Sequence, residues 1–220
     1  MRSKPQGRAA KWIVLACVLL AAPFVWGVAF RGEYATRQAA AREFVLDEDF
    51  TVVRKILVRK NAAQQIVTMS GDSEFVEQKF SSVGGDVNSL ELLNPQWRLE
   101  LEGTLRVRIL DKYVGQQVVA LDQDIEITVD KVDSQVELRE PSERLKDYAM
   151  TTRFTRTPEN KTLIELSLEQ AILTDAPWFA HGIADRRVKA SVEKSLENQE
   201  EAIRQVIAEN RDDVPLLPLR

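Results

Sequence analysis

Apolar and polar side chains alternate through the middle of the chain. From Trp97 the sequence reads Trp-Arg-Leu-Glu-Leu-Glu-Gly-Thr-Leu-Arg-Val-Arg-Ile, which puts Trp97, Leu99, Leu101, Leu105, Val107 and Ile109 on one side. A period of two marks a strand with one dry face. The same phase returns at Val119, Leu121, Ile125, Ile127 and Val129, with Asp122, Asp124, Glu126 and Asp130 on the opposite side. The two strands are predicted to form an antiparallel hairpin across Tyr113 to Gln117. A register whose paired numbers sum to 230 faces Arg108 with Asp122 and Arg106 with Asp124, each pair worth about 0.2–1 kcal/mol. Three more strands are predicted at Gln135 to Arg139, Leu145 to Phe154 and Thr162 to Ile172. Pro158-Glu159-Asn160 supplies the turn before the last of them.

Around this block the pattern is less regular. Gly32 to Leu46 carries Ala35, Ala39, Ala40 and Ala41 with Arg37, Arg42 and Glu43, a composition that predicts a solvated helix. Phe50 to Val58 is rich in β-branched residues and is predicted as a strand, although Val53, Ile56 and Leu57 also suit a helix. Asn61 can cap a short helix with Ala62, Ala63, Ile66 and Val67 on one face, ended by Ser70-Gly71-Asp72. Phe75, Val76 and Phe80 predict a second short helix, ended at Gly84-Gly85. Asp175-Ala176-Pro177 then opens a long helix with the stripe Phe179, Ile183, Val188, Val192, Leu196, Ile203 and Ile207, Gln199 filling one turn. At thirty-odd residues it should lie across the full width of a sheet.

The N-terminus has a different character. Trp12 to Phe30 is 19 residues without a charge, about 28 Å long as a helix and close to the hydrocarbon thickness of a bilayer. Arg2, Lys4, Arg8 and Lys11 precede it, and no acid occurs before Glu33. That asymmetry predicts a single-pass anchor with a cytoplasmic N-terminus and an extracytoplasmic C-terminal domain in the cell membrane. Trp12, Trp26 and Phe30 are its interfacial aromatic residues. A cleaved signal peptide ending near Gly27-Val28-Ala29 is the alternative, but the apolar run exceeds a usual h-region. The expected division is a basic segment 1–11, a membrane span 12–30, a juxtamembrane helix 31–48, a sheet-and-helix domain 49–210 and a Pro/Leu tail 211–220.

Composition narrows the function. Beyond residue 30 the chain keeps 26 basic and 34 acidic residues, a net charge of −8, which argues against a nucleic-acid partner. One Cys, inside the apolar run, leaves no intrachain disulfide and no cysteine zinc site. The fold class is therefore α+β, an antiparallel sheet packed on a long C-terminal helix and stabilised by its core.

The succession of a strand, two short helices, long antiparallel strands and one closing helix resembles the helix-grip fold of START, Bet v 1 and polyketide-cyclase-like proteins. Asn61-Ala62-Ala63-Gln64-Gln65-Ile66-Val67 after the first strand and Lys161-Thr162-Leu163-Ile164-Glu165-Leu166 entering the last are the most family-like stretches. The likeness spans about Phe50 to Ile207. It implies a curved sheet around the long helix and an apolar cavity that binds lipid or another apolar ligand.

Candidate chemistry is sparse. His181 and Asp185 are four apart on one helix face, but no nucleophile or second His accompanies them, so no catalytic residue is assigned. The carboxylates at 122, 124, 126 and 130 lie along a strand rather than a calcium loop and read as a salt-bridged face. Arg54, Lys55, Arg59 and Lys60 form a basic cluster, either one solvated strand edge or a headgroup contact. Gln123 and Gln170 fall where the alternation calls for apolar side chains. They are either polar anchors of a ligand pocket, or mark a local bulge or satisfied buried amides. Tyr148, Met150 and Phe154 would line the same pocket or simply pack in a core. The tail Val214-Pro-Leu-Leu-Pro-Leu219 packs back, docks a partner or frays. The leading expectation is a non-catalytic domain holding an apolar or lipid ligand, with no metal or cofactor. The alternative is a cell-envelope interaction module without a cavity.

Overall fold

The computed structural model describes residues 32–59, 62–84, 97–111 and 115–212. The expected membrane span, with Trp12, Trp26 and Phe30, lies outside the described residues, as do Asn61, Tyr113 and residues 213–220 of the tail. Among the described residues no helix is long and apolar enough to cross a membrane.

Seven strands form one antiparallel sheet: β1 (Glu33–Leu46), β2 (Ser73–Gly84), β3 (Leu99–Ile109), β4 (Gln117–Ile127), β5 (Lys131–Leu138), β6 (Leu145–Arg156) and β7 (Thr162–Asp175). Their order across the sheet is β1-β7-β6-β5-β4-β3-β2. Two short helices, α1 (Phe50–Arg59) and α2 (Ala62–Ser70), lie between β1 and β2, and α3 (His181–Asn210) closes the chain. This is the helix-grip arrangement, displaced by one element from the expected assignment.

Three elements differ from expectation, each for a local reason. Residues 33–46 form an edge strand rather than a juxtamembrane helix. Thr36, Phe44 and Leu46 are buried between exposed neighbours, a period of two that the small alanines had muted. Phe50 to Val58 is helical instead of extended. Asp49 caps it, its carboxylate accepting from the Thr51 amide at 2.7 Å, and Phe50, Val53 and Ile56 are fully buried at helical spacing. The stretch with Phe75, Val76 and Phe80 is strand β2, whose register slips between Phe75 and Glu77 and again between Phe80 and Ser82. Two bulges turn a period of two into something that imitates a helix. Gly103 of β3 lets this bulged strand approach: a Cβ there would stand 2.5 Å from the Lys79 carbonyl oxygen and 3.2 Å from Phe80 Cα.

The β3–β4 hairpin exists, but its paired numbers sum to 226: Leu99 faces Ile127 and Glu102 faces Asp124. The arginines of β3 find their acids on β2 instead, Arg108 with Glu74 at 2.8 Å and Arg106 with Glu77 at 3.7 Å. On β4, Asp122 pairs with Arg139 of the loop after β5, and Glu126 with Lys131 and Arg98. The long helix begins at His181, six residues after the expected cap, because Asp175 still belongs to β7 and a 3-10 turn at Trp178–Ala180 intervenes. Val188, Val192, Leu196, Ile203 and Ile207 are buried as expected, whereas Phe179 and Ile183 are exposed.

The helix α3 packs on β1, β7 and α2. Arg42 and Arg204 both engage Glu200, and the Arg204 guanidinium lies 4.6 Å from the centre of the Phe44 ring. Arg54 is not part of a solvated edge. Its guanidinium donates to the carbonyls of Thr128 and Val129, both at 2.9 Å, and stacks over Trp97. It thereby ties α1 to the β4–β5 turn.

Candidate ligand cavity

Because α3 covers β1 and β7, the inner face of β3 to β6 is left to α1, α2 and the C-terminal half of α3. A cavity of about 270 Å³ lies between them. Its floor is built from rungs of the sheet. Leu101, Ile125, Ser134 and Thr152 share one rung, and Gly103, Gln123, Val136 and Met150 the next. Ile66 and Val67 of α2 with Gln199 and Ile203 of α3 form the roof. Val58 and Phe80 line it too, 55% and 47% exposed, and mark where the wall meets solvent.

The alternation explains why these side chains meet. Odd positions of β3 and β4 and even positions of β5 and β6 point to one face. The antiparallel registers align them into rows. Gly103 contributes no side chain to its rung, so the Gln123 amide occupies space beside β2, where Gln78 Nε2 donates to Gln123 Oε1 at 2.6 Å. Gln78 carries no signal in the sequence, where the spacing of Phe75, Val76 and Phe80 imitates a helix and one Gln stands among polar neighbours.

Four of the five residues singled out for a pocket line this cavity: Gln123, Tyr148, Met150 and Phe154. Gln170 does not. It is buried on β7, opposite Gln38 of β1 and Tyr148 of β6, beneath the region that α3 covers. Apolar phase alone could not tell the covered half of the sheet from the open half.

Among the described residues, none that lines the cavity carries a charge. Among the described lining residues Tyr148 is the group that can titrate, and its phenol is pushed up to about 12, chiefly by burial and secondarily by the nearby Asp72 carboxylate. Its hydroxyl points to Met150 Sδ at 3.6 Å. Asp72 is itself fixed, accepting from Ser195 Oγ at 2.7 Å and Asn198 Nδ2 at 2.9 Å. The described walls are mostly apolar; their polar groups are the Gln78–Gln123 pair, the Gln199 amide, the Tyr148 hydroxyl and the hydroxyls of Ser70, Ser73, Ser134 and Thr152.

The His181 region lies elsewhere. Asp185 accepts from the Tyr34 hydroxyl at 2.9 Å and from Thr36 Oγ1 at 2.7 Å, and the imidazole stacks on the Tyr34 ring at 3.6 Å. The hydrogen bond to Asp185 holds the Tyr34 phenol above its usual range. These contacts fasten the start of α3 to β1. Among the described residues no cluster of His, Cys, Asp or Glu is arranged to hold a metal ion.

No protein-family model matches the chain, and no curated protein is similar to it. Solved structures are similar in shape. A protein of unknown function from Staphylococcus aureus superposes with a TM-score of 0.50 at 9% identity, covering 81% of this chain and 98% of that one. The Zhui aromatase/cyclase from Streptomyces sp. R1128 gives 0.46 at 10% identity over 83% and 98%. A START superfamily protein from Mycobacterium smegmatis gives 0.44 at 9% identity over 81% and 99%. At such identities the likeness concerns fold alone. The strand order, the two short helices and the closing helix described above place the chain in the helix-grip fold.

Proposed function

We propose that this domain is a non-catalytic binding module that takes an uncharged, largely apolar small molecule, such as a single acyl chain, into the cavity between sheet and helices. The cavity and its uncharged lining carry this reading. Dry apolar cavities of about 150 Å³ already accept a benzene-sized guest, and ligand sites commonly combine apolar walls with a few directed polar groups. The Gln78–Gln123 bond uses one half of each amide, leaving the Gln123 NH₂ and the Gln78 carbonyl for a ligand's polar end. A buried carboxylate or ammonium on the ligand would find no counter-charge among the described lining residues and would be strongly disfavoured. Tyr148, held neutral, is suited to donate a hydrogen bond and unsuited to act as a base near neutral pH.

The same reading holds the domain at the outer face of the cell membrane through residues 12–30, with residues 1–11 cytoplasmic. The four bases before that run and the absence of acids before Glu33 support this orientation.

Native mass spectrometry of the detergent-purified full chain, followed by solvent extraction and identification of the released compound, tests the binding. The expected result is a stoichiometric adduct that Val136→Trp, which fills the cavity, abolishes while the far-ultraviolet circular dichroism is kept. An adduct of equal occupancy in that variant would place the ligand elsewhere.

A further inference from the structure

The end of the sheet where β1 begins carries an apolar patch that no described residue covers. Trp178, Phe179 and Ile183 are 63%, 65% and 47% exposed. Trp178 and Phe179 pack edge to face with ring centres 5.9 Å apart, so the two rings present one surface. Their position is fixed: the stacking of His181 on Tyr34 and the bonds of Asp185 to Tyr34 and Thr36 bind the start of α3 to the first residues of β1. The register partner of Glu33 is Asp175, three residues before Trp178.

We propose that this patch seats on the lipid surface of the membrane that residues 12–30 anchor, an inference that rests on the tether described under Proposed function. The covalent chain supports that occupant. Glu33 lies three positions after Phe30, the end of the apolar run, and Trp178 lies three positions after Asp175. Each step spans at most about 11 Å, so the patch stays within reach of the headgroup layer. Indole and phenyl side chains partition to that layer, one side apolar and one side wet. Arg186 and Arg187 follow Ile183 at i+3 and i+4, on its side of the helix and exposed, where they meet anionic headgroups. Glu33 and Asp175 are exposed here as well, so apolar insertion leads and charge assists. Docking orients the sheet end-on to the bilayer, with α3 rising away from it.

The test uses the full chain with Cys17→Ser, reconstituted in phosphatidylcholine vesicles containing phosphatidylglycerol. An environment-sensitive fluorophore is placed at Phe179→Cys or Ile183→Cys, and at Glu159→Cys as a control at the opposite end of the sheet. Nitroxide-bearing lipid is expected to quench the first two labels several-fold more strongly than the third. Equal quenching at all three, in chain that alkaline carbonate leaves with the vesicles, overturns the docking and leaves the tether standing. A label at 179 shielded from aqueous quencher yet untouched by nitroxide lipid also overturns it, since a protein surface then covers the patch. Release of the chain by carbonate removes the tether, and this inference with it.

Discussion

Tyr148 shows what an apolar cavity does to a single side chain. Its phenolate would have to form beside Met150 and within the field of Asp72, so burial first and that carboxylate second hold the proton on, with the pKa pushed up to about 12. In the unfolded chain the phenol titrates near the ordinary value of 10.0. Below that pH both states are protonated and Tyr148 gives stability no pH dependence. Between about 10 and 12 the unfolded state loses the proton and the native state keeps it, so stability falls as pH rises, by up to about 2–3 kcal/mol. Phenolate absorbance of the folded protein should therefore show a tyrosine titrating near the top of the accessible range, and Tyr148→Phe should remove it. Urea denaturation of the variant should also lose part of the decline in stability above pH 10.0. An unchanged titration would mean that the hydroxyl reaches water, and the cavity would then be open at that point.

Helices and strands were legible where one period dominated and illegible where two competed. The block from Trp97 to Ile172 reads as strands because each strand buries one face only, and α2 reads as a helix because Ala62, Ala63, Ile66 and Val67 all face the cavity. β1 failed because its inward residues include Ala40 beside outward Ala39 and Ala41, so side-chain size hides the alternation. Losing β1 as a strand shifted the whole order by one element, and losing β2 removed the acids that Arg106 and Arg108 meet. The hairpin register then followed cross-strand charges that do not pair. Exposed pairs are worth too little to set a register against turn geometry and a third strand. The clamp between α3 and β1 was equally hidden, because it joins residues 158 positions apart. Glu200 sits in it: burial alone raises its carboxyl pKa, but the hydrogen bonds from Arg42 and Arg204 outweigh this and lower it. A depressed native pKa stabilises the fold above the unfolded value of about 4.5, and that stabilisation is lost as pH falls below it. Glu200→Gln should cost about 1 kcal/mol at neutral pH, a figure discounted for the partly exposed arginines. The gap to the parent protein in thermal midpoint should close in acid; a gap constant down to pH 3 would assign the loss to packing rather than charge.

The molecule divides into two unequally filled halves. Over β1 and β7 the fold is packed solid: Ile164, Leu166, Ile172, Val188, Val192 and Leu196 are all at most 1% exposed. Over β3 to β6 the same sheet faces the cavity, and its residues lose contact partners that a filled core would give them. Sequence reasoning found the lining residues Gln123, Tyr148, Met150 and Phe154 but also included Gln170, because period and polarity report only which face a side chain takes. Which half of that face the long helix covers depends on contacts between distant elements. A bound guest would supply the missing contacts on one half only, stabilising the native state by mass action while adding nothing to the β1–β7–α3 unit. Hydrogen exchange on the protein before and after extraction of its ligand should then show faster exchange in α2, β3, β4 and β5, with β1, β7 and the central turns of α3 unchanged. The shared strand β6 should respond at Met150 and Thr152, which line the cavity, more than at Arg153, which lies on the other face and pairs with Asp133 at 2.7 Å. Acceleration spread evenly over all seven strands would mean that the domain opens as one cooperative body and that the guest does not act on the cavity half separately. No acceleration at all would mean that the cavity is empty in the native protein, and the binding role would fall with it.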